Sequence, residues 1–363
     1  VPLMSRIAHR VGAVAVPNDR RVHSSTTPVL GGGAMFVGML AGILVASLVP
    51  HFDPVFDSPG TIGGVVIAAL AIFGAGVIDD IREVSAPAKI AGMIFAGSIL
   101  SLVGITIVNV PLPFVGFTVL SPDLAALVTV VWVVLMANAV NLIDGLDGLA
   151  AGVMAIAAAA FLIYSLRLDS VGAISEGNLG PLLAVVILGI CVGFLVWNFH
   201  PAKIFMGDSG ALLLGLLIAS ASIAVGGQSD ASFTGQSWFF FAPLVIPLLI
   251  LGVPILDMVF AILRRATRRA GLATADKDHL HHRLLRIGHG HRQTVLVLWA
   301  WTALLSAFAL YPALTGRSTL LVPIAVLALA LVGYSISIFW RTRRREAARQ
   351  GEDTRPDQPI GTV

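Results

Sequence analysis

From residue 30 almost to the C-terminus, apolar runs of about twenty residues alternate with short polar breaks. A bilayer core needs about 20 consecutive apolar residues per helix. The pattern therefore predicts ten spans, roughly 30–50, 59–78, 88–108, 122–142, 147–166, 179–199, 209–227, 238–263, 295–313 and 319–340. The run 238–263 is long and holds Pro243, Pro247 and Pro254, so a kinked helix is expected there. A membrane helix tolerates a kink when its neighbours satisfy the freed backbone groups. Between the third and fourth spans, VNVPLPFVGFTVLSPD reads as a short hairpin. No solenoid-type repeat and no soluble domain is visible, and the largest polar insert is 264–294. The expected class is all-α: a polytopic membrane helix bundle forming a single domain over 1–340. A basic, disordered tail is expected over 341–363.

Composition supports the pattern. Of 363 residues, 57% are hydrophobic and 12% charged, against about 25% charged in soluble domains. Mean hydropathy is +0.91. The one cysteine, Cys191, lies in an apolar run, so there is no disulfide framework and the residue reads as a small core hydrophobe. No cleavable signal peptide is visible. Ten spans place both termini on one side of the membrane. Of the 23 Lys and Arg, 21 fall in segments on that side, and only Arg167 and Arg317 fall on the other. The basic side is expected to be cytoplasmic. The basic clusters read as topology signals and as attraction to lipid headgroups rather than to nucleic acid.

The acidic residues separate by side. Asp53, Asp57, Asp123, Asp169, Glu176 and Asp230 sit in short outer loops. On the cytoplasmic side, Asp79 and Asp80 end one span in GVIDDIREVSAPAK. Asp144 and Asp147 follow another in NAVNLIDGLDGLAAG, beside Asn138 and Asn141, and Asp208 opens a third in WNFHPAKIFMGDSG. Asp257 lies within 238–263. Carboxylates at the ends of apolar helices are costly and mark a site by default. Several span ends converging on one face describe one site built from several helices. Hard oxygen ligands suit Mg²⁺, which retains waters and binds substrate phosphates. Lys89, Lys203, Arg283 and nearby histidines suit phosphate charge. Asp208-Ser209 is a candidate helix N-terminus, able to hold an anion. HLHHRLLRIGHGHR carries five histidines without a cysteine, which fits hydrogen bonds to phosphate better than zinc. Together these features point to metal-assisted phosphoryl transfer. A secondary transporter also places carboxylates in membrane helices, but near the midplane.

Five stretches carry a resemblance: PNDRRVHSSTTPVLGG, GVIDDIREVSAPAK, NAVNLIDGLDGLAAG, WNFHPAKIFMGDSG and DHLHHRLL, in that order over residues 17–285. The chain resembles the polyprenyl-phosphate N-acetylhexosamine-1-phosphate transferases (glycosyltransferase family 4). HLHHRLL and the PNxRxxH opening resemble the branch that uses UDP-GlcNAc rather than UDP-MurNAc-pentapeptide. That branch typically has eleven spans. Here the stretch before Val16 is short and polar, so most of the first span is expected to be missing.

The resemblance implies a multi-pass enzyme of the bacterial plasma membrane with its active site facing the cytoplasm. It implies Mg²⁺ as cofactor, with Mn²⁺ as a substitute, and UDP-GlcNAc and undecaprenyl or decaprenyl phosphate as substrates. The products would be polyprenyl-diphosphate-GlcNAc and UMP. Membrane lipids and a homodimer partner complete the expected associations. By the same resemblance Asp208 and Asn141 lie at the metal, Asp79 and Asp80 are candidates for base or nucleophile, and Lys89 meets the lipid phosphate. Asn138, Asp144, Asp147 and Asn198 fall to the nucleotide-sugar, with Asp147 toward uracil. His279, His281, His282 and Arg283 fall to the sugar and diphosphate. Direct attack by the lipid phosphate is the expected chemistry, with an aspartyl-phosphate intermediate as its rival.

Overall fold

The structure, a computed structural model, describes residues 1–15, 27–82, 84–112, 116–227 and 290–315, together with isolated positions 248, 252, 255 and 259. Most of the expected span 238–263, all of 319–340, His279, His281, His282 and His289 of the insert, and the basic tail lie outside the described residues.

The first element is a short helix, α1 (Pro2–Val11), in the stretch that the hydropathy pattern leaves outside the spans; Gly12 ends it in the left-handed region at φ 76°. Two residues of strand on either side, β1 (Val14–Ala15) and β2 (Thr27–Pro28), pair antiparallel. The spans follow: α2 (Gly31–Ala46), then a short turn into α3 (Asp53–Phe56), then α4 (Pro59–Arg82) and α5 (Ala86–Leu102). After the hairpin β3 (Asn109–Leu112) and β4 (Gly116–Val119) come α6 (Pro122–Ile143), α7 (Leu149–Ser170), α8 (Leu179–Asn198) and α9 (Gly207–Ser222). A π-turn, Ile223–Gly227, extends α9, and α10 (His291–Thr315) is the last described helix. Six of these helices, α4 and α6 to α10, are long and apolar enough to cross a membrane unaided. The pair Gly31–Ala46 and Pro50–Phe56, bent by 95°, is apolar enough for a seventh, either as a broken span or as a re-entrant segment.

The expected span 88–108 is corrected. Its helix stops at Leu102, where Gly104 turns the chain at φ 85°. Residues beyond it feed the hairpin: the Val108 N–H donates to Gly227 O at 2.8 Å and the Leu120 N–H to Val108 O at 2.8 Å. The hairpin expected in this loop is present, in the register Asn109↔Val119 to Leu112↔Gly116.

Helix starts follow local chemistry. Ser121-Pro122 and Ser85-Ala86-Pro87 each put an extended serine before a proline in the first turn, where the missing proline N–H has no partner to lose. Asn178 caps α8, accepting from the Gly180 N–H at 2.9 Å and donating to Ala224 O at 2.7 Å.

Helix α9 is the axis, and every one of its side chains from Ser209 to Ser222 is buried. α4 and α6 pack along it, with α2 and α8 beside them. Small residues permit the close approach, as they do between membrane helices generally. A methyl group on Gly215 would come 2.4 Å from Ala137 Cα, and one on Gly76 2.4 Å from Ser209 Cα. Two polar pairs cross this interior: the Trp132 indole N–H donates to Ser222 Oγ at 2.9 Å, and the Ile107 N–H to Thr129 Oγ1 at 2.8 Å. The outer faces are the reverse of a soluble surface, with Leu44, Leu70, Phe95, Leu127 and Val196 exposed. In water such a belt would drive association; against lipid tails it is at home.

Candidate active site

The C-terminal ends of α4, α6 and α8 and the N-terminal ends of α5, α7, α9 and α10 meet at one end of the bundle. The polar residues of the span ends gather there, and two clusters form.

The first cluster surrounds Asp208. Its Oδ1 accepts from Asn141 Nδ2 at 2.7 Å, and its Oδ2 pairs with Lys89 Nζ. Lys89 also lies 2.5 Å from Asp79 Oδ2, so one ammonium is shared by carboxylates from two helices. Asp79 Oδ1 accepts from the Val84 N–H at 2.7 Å, which fixes the chain as it leaves α4. Asp80, next along α4, faces elsewhere. Its Oδ1 accepts from the Asp208 N–H at 2.7 Å, and its Oδ2 from the Ser209 N–H at 3.2 Å and Ser209 Oγ at 2.6 Å. The first N–H groups of α9, expected to face a substrate anion, are instead taken by the Asp80 side chain.

The second cluster surrounds Asp147, which is buried. Its Oδ2 meets His200 Nδ1 at 2.7 Å and the Ala202 N–H at 3.1 Å. His291, at the start of α10, stacks on His200 with ring centroids 4.2 Å apart and places Nε2 4.0 Å from the same oxygen. Arg292 Nη2 donates to His200 O at 3.2 Å. Asn198 pins the surrounding loops: its Oδ1 accepts from the Gly148 N–H at 3.0 Å, and its Nδ2 donates to Ile204 O at 2.9 Å. Both ends of that amide are engaged by backbone, so Asn198 holds the loops around Asp147 in place. Gly148 takes φ 77° to start α7 at this point.

Asp144 lies between the clusters, just past the end of α6. Burial, followed by the charges of Asp208, Asp80 and Asp147, pushes its carboxyl up to about 8. Asn138 does not join either cluster; its amide bonds back to Val134 O at 2.8 Å and touches Met93 Sδ at 3.2 Å. Lys203 stands over the Trp197 ring at 5.4 Å. His279, His281, His282, Arg283 and Asp257 lie outside the described residues. His200 was not among the expected site residues, whereas His291 and Arg292 close the histidine-rich stretch HLHHRLLRIGHGHR already read as suited to phosphate. His200 stands two residues after Asn198 in a stretch already singled out, which was the available signal.

Asp79 and Asp208 share the one ammonium of Lys89, with Asp80 and Asp144 close by. Unpaired charge at the edge of a low-dielectric region is unfavourable. A divalent cation would balance it, and oxygen donors suit Mg²⁺. Asp208, with the Asn141 amide turned to offer its oxygen, fits such an ion.

Similarity to known proteins bears on this arrangement. A family model described as glycosyl transferase family 4 matches residues 62–226, a stretch that runs from α4 to the end of α9. The decaprenyl-phosphate N-acetylglucosaminephosphotransferase of Mycobacterium leprae (strain TN) is 40% identical over 310 residues, 84% of this chain and 78% of its own length. The chain belongs to glycosyl transferase family 4. It is a polytopic membrane enzyme, a glycosyl-1-phosphate transferase. Two further relatives differ in the sugar that their names carry. The probable undecaprenyl-phosphate N-acetylglucosaminyl 1-phosphate transferase of Bacillus subtilis (strain 168) is 36% identical over 298 residues, 82% of this chain and 76% of its own. The phospho-N-acetylmuramoyl-pentapeptide-transferase of Desulforudis audaxviator (strain MP104C) is 31% identical over 332 residues, 85% and 91%.

Proposed function

We propose that the protein transfers GlcNAc-1-phosphate from UDP-GlcNAc to a polyprenyl phosphate, releasing UMP, at the cytoplasmic face of the membrane and with Mg²⁺. The observation that carries this reading is the shared ammonium of Lys89 between Asp79 and Asp208, with Asn141 on the far oxygen of Asp208. It supplies a cation for an incoming phosphate beside an oxygen-rich place for a metal. The position of these groups at helix ends, rather than at mid-membrane, speaks against a transporter. The named donors of the relatives at 40% and 36% identity favour GlcNAc over the muramoyl pentapeptide named at 31%.

The chemistry asked of the chain is modest. A phosphate monoester has a second pKa of about 6, so the acceptor is mostly dianionic near pH 7 and needs little help from a base. Its oxygen attacks the phosphorus that bears the sugar, the bond to the bridging oxygen breaks, and UMP carries that oxygen away. Bound Mg²⁺ would supply charge neutralisation on the diphosphate. Lys89 holds the acceptor phosphate close to the span ends, and Asp79 and Asp208 hold Lys89. Asp147, fixed by His200 and the Ala202 N–H, faces the nucleoside, and Asn198 holds the loops that frame it. Catalysis of this kind is positioning and electrostatics.

Donor choice is the test. Purified protein with polyprenyl phosphate and Mg²⁺ is offered UDP-GlcNAc, UDP-GalNAc and UDP-MurNAc-pentapeptide in parallel. UMP release is expected to be fastest with UDP-GlcNAc. Faster release with the pentapeptide donor would overturn the assignment of the sugar.

A further inference from the structure

We propose that Asp80 is a positioning residue: it holds the first turn of α9 and thereby aims Asp208 at Lys89 and Asn141. The proposal rests on the reading of Asp208 as the metal-site carboxylate. Asp79 and Asp80 are adjacent on α4, so their side chains leave the helix about 100° apart. The pair divides accordingly. Asp79 turns to Lys89, and Asp80 turns to α9.

Both oxygens of Asp80 are engaged by α9. Three donors reach them: the Asp208 N–H at 2.7 Å, the Ser209 N–H at 3.2 Å and Ser209 Oγ at 2.6 Å. The first N–H groups of a helix have no partner inside it, and a carboxylate there is favoured by the helix dipole as well. Asp80 thus serves as the cap of α9 from another helix, across 128 residues of sequence to its nearest partner. Alpha9 has no side-chain cap of its own.

The surroundings leave the cap no slack. A methyl group on Gly207 would lie 2.5 Å from Val29 O and 2.6 Å from Asp80 Oδ2. One on Gly32 would lie 2.4 Å from Ser209 Oγ, and one on Gly76 2.6 Å from Ser209 N. α2 is tied to the same loop, since the N–H groups of Gly31 and Gly32 donate to Phe205 O and Met206 O at 2.9 Å. A base or nucleophile must bring an oxygen within reach of the reacting group. Asp80 instead faces a backbone turn wedged between α2 and α4, and its effect on the reaction passes through Asp208.

Mn²⁺ binding to the purified full chain, measured by electron paramagnetic resonance with UDP present, tests this. In Asp80→Asn the Mn²⁺ Kd is expected to rise about tenfold, because the amide accepts at only one of the two positions and loses the charge that the helix dipole favours. Asp80→Ala is expected to rise further and Ser209→Ala less. The double variant Asp80→Asn/Ser209→Ala is expected to raise Kd by less than the product of the two single effects, because the two side chains share one of the three contacts. Raising Mg²⁺ is expected to recover turnover in Asp80→Asn, separating a metal defect from a chemical one. A wild-type Kd in Asp80→Asn together with lost turnover would overturn the proposal, since Asp80 would then act on the reacting atoms. If the Asp80 variants do not fold, an unchanged Kd in Ser209→Ala overturns it. Absence of Mn²⁺ binding by the wild type also overturns it, because nothing would remain to be aimed. Failure of the wild type to release UMP counts against the proposed reaction alone, and the Mn²⁺ series still decides the role of Asp80.

Discussion

Gly76 makes no chemical contact with a substrate in this account, yet adding one methyl group there should disable the enzyme. In α4 its ideal Cβ would sit 2.4 Å from Ser209 Cα, 2.6 Å from Ser209 N and 2.9 Å from the Asp208 carbonyl carbon. These are backbone atoms, so no side chain can swing aside. Restoring an ordinary contact of roughly 3.4 Å moves the first turn of α9 by about 1 Å. Overpacking of this kind costs about 1–3 kcal/mol of stability. The larger effect is on rate, because a displacement of about 1 Å in a positioned group costs roughly a hundredfold. Gly74 and Gly63 are matched controls on the same helix: among the described residues no atom lies within 4 Å of a Cβ added at either. Alanine there is expected to leave turnover unchanged, with a gain of about 0.5–1 kcal/mol from reduced backbone freedom. The assay is UMP release at saturating substrates, with thermal unfolding in detergent beside it. Turnover of Gly76→Ala within threefold of Gly74→Ala would refute the claim that the α9 start is held by contact.

The remaining predictions concern the two polar clusters. Asn198→Ala removes both hydrogen bonds of a buried amide and leaves the Gly148 N–H and the Ile204 carbonyl without their partner; a loss of about 2–5 kcal/mol is expected, and an unfolding temperature equal to wild type would count against it. Lys89→Met leaves Asp79 and Asp208 facing each other without their cation, so added Mg²⁺ is expected to raise its unfolding temperature more than that of the wild type; an equal rise would show that Lys89 does not balance those charges. Asp144, held up at about 8, keeps a proton in the folded state that the unfolded chain releases above about pH 4. The folded state therefore binds more protons between those values, and stability in metal-free buffer is expected to fall as pH rises from about 4 to about 8 and to level off above. Asp144→Asn is expected to flatten that slope, and identical slopes in the two proteins would dismiss the assignment.

The spans were legible because their signal is local: length and hydropathy are enough for α4, α6, α7, α8 and α9. The apolar run outlasts α5 by six residues because Ile105, Ile107 and Val108 are as apolar as a span requires but belong to the approach to the hairpin, which only the Val108 to Gly227 hydrogen bond reveals. Asp208 and Asn141 could be singled out as polar residues at helix ends, yet their pairing spans 67 residues and depends on how α6 and α9 pack. The same holds for Asp80. Its neighbour Asp79 made the two look like one chemical unit, whereas the helical turn between adjacent residues sends them to different partners. His200 gave no signal of its own because a single imidazole in a loop carries no periodicity, and its stacking on His291, from the histidine-rich stretch, is fixed only when the starts of α7 and α10 meet the loop after α8.

The central claim is that this end of the bundle exchanges one phosphoanhydride for another with a divalent cation. Purified protein is incubated with UDP-GlcNAc and decaprenyl phosphate, and both UMP and lipid-linked GlcNAc diphosphate are quantified, with Mg²⁺ and with a chelator. Equal amounts of the two products, formed only with the metal and only with the lipid, are the expected result. Release of UMP without lipid product, or product formation undiminished by the chelator, would contradict the account.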